Sequence, residues 1–169
     1  MTKAFIIAAI SADGYIAKDK NHPAFWTSKE DKQRFVELTK RAGVVIMGST
    51  TFKTLPRPLK ERVNIVYSRT QKFEGVEVTQ KDPRALLEEL GSRGFKEVAI
   101  CGGSDIYTMF MQEKLVDTIY LTVEPILFGS GIKLFNREML EHLKLISSSV
   151  APNGALLLEY SVVHNVKPK

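Results

Sequence analysis

Short apolar runs with helix-period segments between them constrain this chain more than any other feature. Ala4–Ile10 (AFIIAAI), Val44–Met47 (VVIM), Val63–Tyr67 (VNIVY) and Val98–Cys101 (VAIC) read as strands buried on both faces. Lys29–Arg41 places Asp31, Phe35, Leu38 and Ala42 near one helical face, and Gly43 closes that helix. A short helix follows near Ser49–Phe52, and Val76–Val78 is a short fourth strand. Asp82-Pro83 is an N-cap with proline at the first helical position, opening a helix to about Leu90. Asp105–Met111 is a further helix and Asp117–Glu124 a strand, while Leu143–Ser148 and Ala155–His164 form a terminal hairpin across Pro152-Asn153-Gly154. This alternation implies an α/β fold with a largely parallel sheet and an antiparallel C-terminal edge.

At 169 residues the length favours one domain, residues 1–169. A chain of this size buries roughly 70% of its unfolded surface, enough for a full core. With 44% hydrophobic and 25% charged residues it falls in the globular range, which excludes a disordered or low-complexity chain. Cys101 is the sole cysteine, and His22, His142 and His164 stand far apart, so neither a disulfide nor a metal site is expected. The run Ala4–Ile10 is too short for a membrane span and no cleavage pattern follows it. A reduced, soluble cytoplasmic protein, monomer or homodimer, is the expectation.

The net charge of +5 raises the question of nucleic acid. Its bases are interleaved with acids, as in Lys29-Glu30-Asp31-Lys32 and Lys60-Glu61-Arg62, and no block of like charge occurs. Such a modest positive field suits an anionic small molecule.

Two glycine turns follow buried strands and precede helices: Gly48-Ser49-Thr50-Thr51 and Gly102-Gly103-Ser104-Asp105-Ile106. Free N–H groups and the positive dipole end at such turns attract phosphate. Neither turn matches the ordinary dinucleotide or P-loop fingerprints, and each alone reads equally as a tight connection. Asp31 is the most informative acid. Ser28 with Asp31, or Thr27 with Glu30 one residue earlier, fits a capping box. Alternatively, an acid beside Trp26 and Phe35 is desolvated and suited to hold a proton.

The ordered set Ile7-Ala8-Ala9, Trp26-Thr27-Ser28-Lys29-Glu30-Asp31 with Phe35, Val45-Ile46-Met47-Gly48, Arg57-Pro58-Leu59, Arg62–Ser68, Ile100–Ser104 with Ile106-Tyr107, and Leu121-Thr122 resembles dihydrofolate reductase. The resemblance implies a three-layer α/β domain that reduces 7,8-dihydrofolate to tetrahydrofolate with NADPH. It places Asp31 as the carboxylate that anchors the pterin and supports protonation at N5, with Trp26 ordering a water and Thr122 orienting the carboxylate. Ile7, Phe35, Leu55 and Cys101 match walls of the substrate site, and Arg62 matches the clamp on the substrate's glutamate carboxylate. Ala9 and Ile16 match positions beside the nicotinamide. Gly48, Ser49, Thr50 and Thr51 match one phosphate turn, and Gly102, Gly103, Ser104, Asp105 and Ile106 match the other. Ser68 and Arg69 fall where the family reads the 2′-phosphate.

The departures point elsewhere. Ser49 stands where the family usually has a basic residue, and Phe25 stands where a proline is common. Ser11-x-Asp13-Gly14-x-Ile16-Ala17 and Pro125–Gly131 with Leu134-Phe135 look more like riboflavin-pathway pyrimidine reductases. That reading, with the same hydride chemistry, is the alternative; a non-catalytic nucleotide-binding module is the third.

Overall fold

A computed structural model describes residues 1–23 and 26–164; Phe25 lies outside them. Its main sheet has eight strands in the order β5-β4-β3-β6-β1-β7-β10-β9. Five adjacent pairs are parallel: β1 (Lys3–Ser11) lies between β6 (Glu97–Ile100) and β7 (Thr118–Glu124), and β3 (Val44–Gly48) lies between β6 and β4 (Val63–Tyr67), with β5 (Glu77–Thr79) outside. The final hairpin, β9 (His142–Val150) and β10 (Leu156–Val163), runs antiparallel and pairs with β7 through β10. The expected architecture is therefore present. Its antiparallel edge has two strands, and β9 exposes every residue, including Leu143, Leu145 and Ile146.

Alternation along the strands divides the core into two faces. Ala4, Ile6 and Ala8 of β1 meet Val44 and Ile46 of β3 on one side, while Phe5 and Ile7 meet Val45 and Met47 on the other. The first face is covered by α3 (Pro83–Ser92), through Leu86, Leu87 and Leu90, and by α4 (Ser104–Gln112), through Ile106, Phe110 and Met111. The second is covered by α1 (Lys29–Ala42), through Leu38 and Ala42. Helix, sheet and helix make three layers. Phe110 is fully buried at the centre of the first face. Phe110→Ala should cost about 3–5 kcal/mol of stability, read as a lowered denaturant midpoint; a change under about 1 kcal/mol would contradict this packing.

Local signals explain most boundaries. Asp82 caps α3 by accepting the N–H groups of Arg84 and Ala85. Gly43 ends α1 at φ 74°, donating its N–H to the Thr39 carbonyl. Strand β5 begins one residue later than expected, and α4 begins at Ser104 instead of Asp105. The short helix expected near Ser49–Phe52 is α2 (Ser49–Lys53); beyond the expected elements, β2 (Tyr15–Ala17) pairs with β8 (Ile132–Lys133) in a separate two-stranded sheet. Among the described residues no helix is long and apolar enough to cross a membrane.

The chain order reverses around β6, which is inserted between β3 and β1. Open α/β sheets bind ligands in the crevice outside the carboxyl ends of strands at such a point.

Candidate active site

A groove of about 1860 Å³ lies there, lined from β1 by Ile7 and Ala9, from β3 by Gly48 and from β6 by Cys101. This exceeds the roughly 300–1,000 Å³ of a single ligand pocket, leaving room for two ligands side by side. Every site residue expected from sequence borders it except Thr122. Thr122 is buried on β7, behind Asp31.

Asp31 is 8% exposed, in the first turn of α1, on the groove wall. Ser28 is the N-cap: its hydroxyl accepts the Asp31 N–H at 3.2 Å. This decides between the two capping arrangements, and Thr27 with Glu30 is not the one adopted. The reciprocal half of the box is filled by Glu124 of β7, which accepts the Ser28 N–H at 2.8 Å and its hydroxyl at 2.6 Å. Asp31's carboxyl is thus left to the groove. Burial pushes its pKa above the ordinary aspartate range; hydrogen bonds from Thr122 and Thr27 oppose this, Glu124 adds to it, and Arg34 opposes it. The result is an acid that takes up a proton more readily than a surface carboxylate.

Trp26 borders the groove near Asp31 and packs on Phe128 at 4.9 Å and His22 at 6.1 Å between ring centroids. Phe35, Leu55 and Cys101 flank the same end and pack against the α1-side core. Burial pushes the Cys101 thiol pKa up, so it serves as an apolar wall and not as a nucleophile. Arg62, half-buried before β4, donates to the Lys60 carbonyl at 2.7 Å and to the Thr39 hydroxyl at 2.8 Å. These two bonds fix the guanidinium at the groove, and no acidic side chain forms an ion pair with it among the described residues.

The two glycine turns form one unit. Gly48 donates its N–H to the Gly102 carbonyl at 2.8 Å. A Cβ at Gly48 would meet Ile106 at 3.2 Å, and one at Gly103 would meet the Thr51 hydroxyl at 3.1 Å. Gly102 has φ +114°, which L side chains rarely adopt, and a Cβ there would meet the Tyr107 hydroxyl at 3.2 Å. Tyr107 is itself fixed by donating to the Ile7 carbonyl at 2.8 Å.

Helix α4 starts with Gly103 as N-cap and no side-chain cap, so its first N–H groups face the groove unpaired by side chains. The Ser104 hydroxyl is buried there with no hydrogen-bond partner among the described residues. An orphaned hydroxyl beside uncapped N–H groups fits a phosphate oxygen, so these residues suit a dinucleotide pyrophosphate. Asp105 contributes backbone only, because its carboxylate takes the Asn136 amide. Further along, Ser68 is buried with its hydroxyl accepting the Gln71 N–H at 3.0 Å, whereas Arg69 and Thr50 are exposed on the groove's rim. Ala9 and Ile16 lie half-buried between the two ends.

The model for dihydrofolate reductase matches residues 3–127. The chain belongs to the dihydrofolate reductase family. A dihydrofolate reductase of Haemophilus influenzae is 34% identical over 117 residues, 69% of each chain. Among solved structures, a pyrimidine reductase-like protein of Corynebacterium diphtheriae superposes with a TM-score of 0.77 at 18% identity, covering 97% of this chain and 93% of that one. A Thermotoga maritima diaminohydroxyphosphoribosylaminopyrimidine deaminase/5-amino-6-(5-phosphoribosylamino)uracil reductase gives 0.78 at 15% identity, covering 96% of this chain and 57% of the other. These two likenesses concern the fold alone. The family is one of reductases, and its match runs from β1 through β7, covering the groove's lining apart from the segment Gly131–Arg137.

Sequence reasoning passed over Glu124, Arg34 and His22. Glu124 stands two residues after Thr122 on β7, so both point to the same side of the strand, toward α1; that spacing was the available signal. Arg34 donates to the Leu121 and Leu158 carbonyls, at 3.3 and 2.7 Å, and lies over the Tyr120 ring.

Proposed function

We propose that the protein reduces 7,8-dihydrofolate to 5,6,7,8-tetrahydrofolate with NADPH. The observation that carries this reading is Asp31: a buried carboxyl on an apolar groove wall, freed from capping by Glu124 and inclined to take up a proton. When bound, NADPH supplies the hydride. Gly102, Gly103, Ser104 and the backbone of Asp105 and Ile106 would hold its pyrophosphate, with Gly48, Ser49, Thr50 and Thr51 on the facing turn. Ala9 and Ile16 would flank the nicotinamide.

In this reading Asp31 accepts hydrogen bonds from the pterin's amino group and N3, and its proton affinity supports delivery to N5, where the double bond's second hydrogen must arrive. Thr122 fixes the carboxyl's orientation, and Trp26 keeps an ordered water at that end. Ile7, Phe35, Leu55 and Cys101 exclude bulk water from the pterin and its aminobenzoyl arm. Arg62, already aimed by Thr39 and Lys60, receives the glutamate carboxylate.

Discrimination of NADPH from NADH needs a cation at the 2′-phosphate. Ser49 and Ser68 bring only hydroxyls, and Arg69, next to Ser68 on the groove's rim, is the cation we assign to it. Arg69→Ala should weaken NADPH about ten- to a hundredfold, the worth of roughly 1.5–3 kcal/mol for a charged hydrogen bond, and leave NADH unchanged. Fluorescence titration with both cofactors checks this; equal losses would remove Arg69 from the site.

A second reading, reduction of a phosphoribosylaminopyrimidine, is favoured by one observation. Asp13 accepts from the backbone N–H groups of Phe128 and Gly129, at 3.1 and 2.7 Å, tying together the two segments that look like pyrimidine reductases. Side-by-side turnover separates the readings. A higher kcat/KM for dihydrofolate supports the first, and a higher one for the ribosylated pyrimidine replaces it with the second.

A further inference from the structure

Glu124 is buried (4% exposed), yet it touches neither the groove nor any cation within ion-pair distance among the described residues. Its carboxylate collects three donors: the Ser28 N–H at 2.8 Å, the Ser28 hydroxyl at 2.6 Å and the Asn153 amide at 3.3 Å. A buried acid is expensive unless its oxygens are satisfied. A neutral acceptor would serve helix capping alone, so an acid at this place calls for another explanation. Ser28 passes the contact on, because its hydroxyl donates to Glu124 while accepting the Asp31 N–H. Two residues earlier on the same strand, Thr122 bonds the Asp31 carboxyl directly. Strand β7 therefore grips the first turn of α1 at two points, one at the cap and one at the acid.

We infer that Glu124 is a positioning residue for Asp31: through Ser28 it sets where the Asp31 carboxyl stands, and it brings a second buried acid up behind that carboxyl. This rests on the reading of Asp31 as the proton-handling group. The other charges facing Asp31 are accounted for. Arg34 on α1 favours its ionised form, and Glu159 on β10 acts on Arg34. Tyr107 on α4, buried and with its own pKa raised, faces Asp31 as a neutral hydroxyl. Glu124 is thus the negative charge that opposes Arg34.

Glu124→Gln tests this, since an amide oxygen can still accept from Ser28 while the charge is gone. Carboxyl ¹³C NMR of aspartate-labelled protein, with Asp31 assigned by its absence in Asp31→Asn, reads the ionisation without any substrate. The midpoint of Asp31 should fall in Glu124→Gln, with an unchanged far-UV spectrum and unchanged NADPH affinity. The kcat profile for dihydrofolate should move to lower pH by the same amount. Ser28→Ala, which cuts the link and keeps the charge, should lower kcat more than it raises KM. An Asp31 midpoint in Glu124→Gln equal to that of the parent overturns the inference and leaves Glu124 as a structural cap. A shifted midpoint in a protein that does not turn over dihydrofolate keeps the inference and rejects the substrate.

Discussion

Asp31→Asn should leave the protein folded and able to bind NADPH while lowering dihydrofolate turnover about a hundredfold or more at neutral pH. An amide keeps the shape and one acceptor but cannot hold the proton that the carboxyl takes up. Lower pH supplies that proton from solvent, so the deficit should narrow as the medium is acidified. The capping explanation predicts the opposite pattern, a loss near 1 kcal/mol of stability with catalysis retained. Here the cap is Ser28, which meets the Asp31 N–H, and asparagine preserves that bond. Stability even moves the other way. The folded-state pKa of Asp31 is raised, so the folded protein binds the proton more tightly than the unfolded chain. Stability from this group is present below the unfolded value and is lost as pH rises through the raised one. Asp31→Asn abolishes that loss, and its melting temperature at neutral pH should be equal to the parent's or higher. Parent-like turnover would remove Asp31 from the chemistry.

Arg62→Leu should raise KM for dihydrofolate by about one to three orders of magnitude with a much smaller change in kcat. The guanidinium uses one nitrogen on Lys60 and another on Thr39, which leaves its remaining N–H groups for a carboxylate. The Thr39 hydroxyl keeps its own acceptor, the Phe35 carbonyl at 2.6 Å, so the substitution orphans little inside the protein. A pterin without the glutamate tail should be indifferent to the change. Equal losses for tailed and tail-less substrates would make Arg62 a structural residue and favour the ribosylated pyrimidine.

The central sheet was legible because its strands are buried on both faces. AFIIAAI splits between two cores, Ile6 to one and Ile7 to the other, and such runs have few other places to go. The caps were legible for a local reason: Asp82-Pro83 and Gly43 fix backbone geometry within a few residues of themselves. Strands β2 and β8 carry three and two residues and exist only by pairing with each other across the fold, so no apolar run announces them. The groove's lining was reached through the family resemblance; composition and periodicity marked its glycine turns but left their role open. Glu124 was hidden for the same reason as β2: its partner Ser28 is 96 residues away, and only the docking of the first turn of α1 beside β7 brings the two together. Unsatisfied groups, such as the Ser104 hydroxyl, become visible only when every neighbour is placed.

The most direct measurement is the reaction itself, followed with purified protein, NADPH and 7,8-dihydrofolate. Loss of reduced-nicotinamide absorbance and formation of tetrahydrofolate are read together. The account predicts one tetrahydrofolate formed for each NADPH oxidised, with both signals depressed together in Asp31→Asn. NADPH stable in the presence of dihydrofolate, or consumed only when a phosphoribosylaminopyrimidine is added, would contradict it.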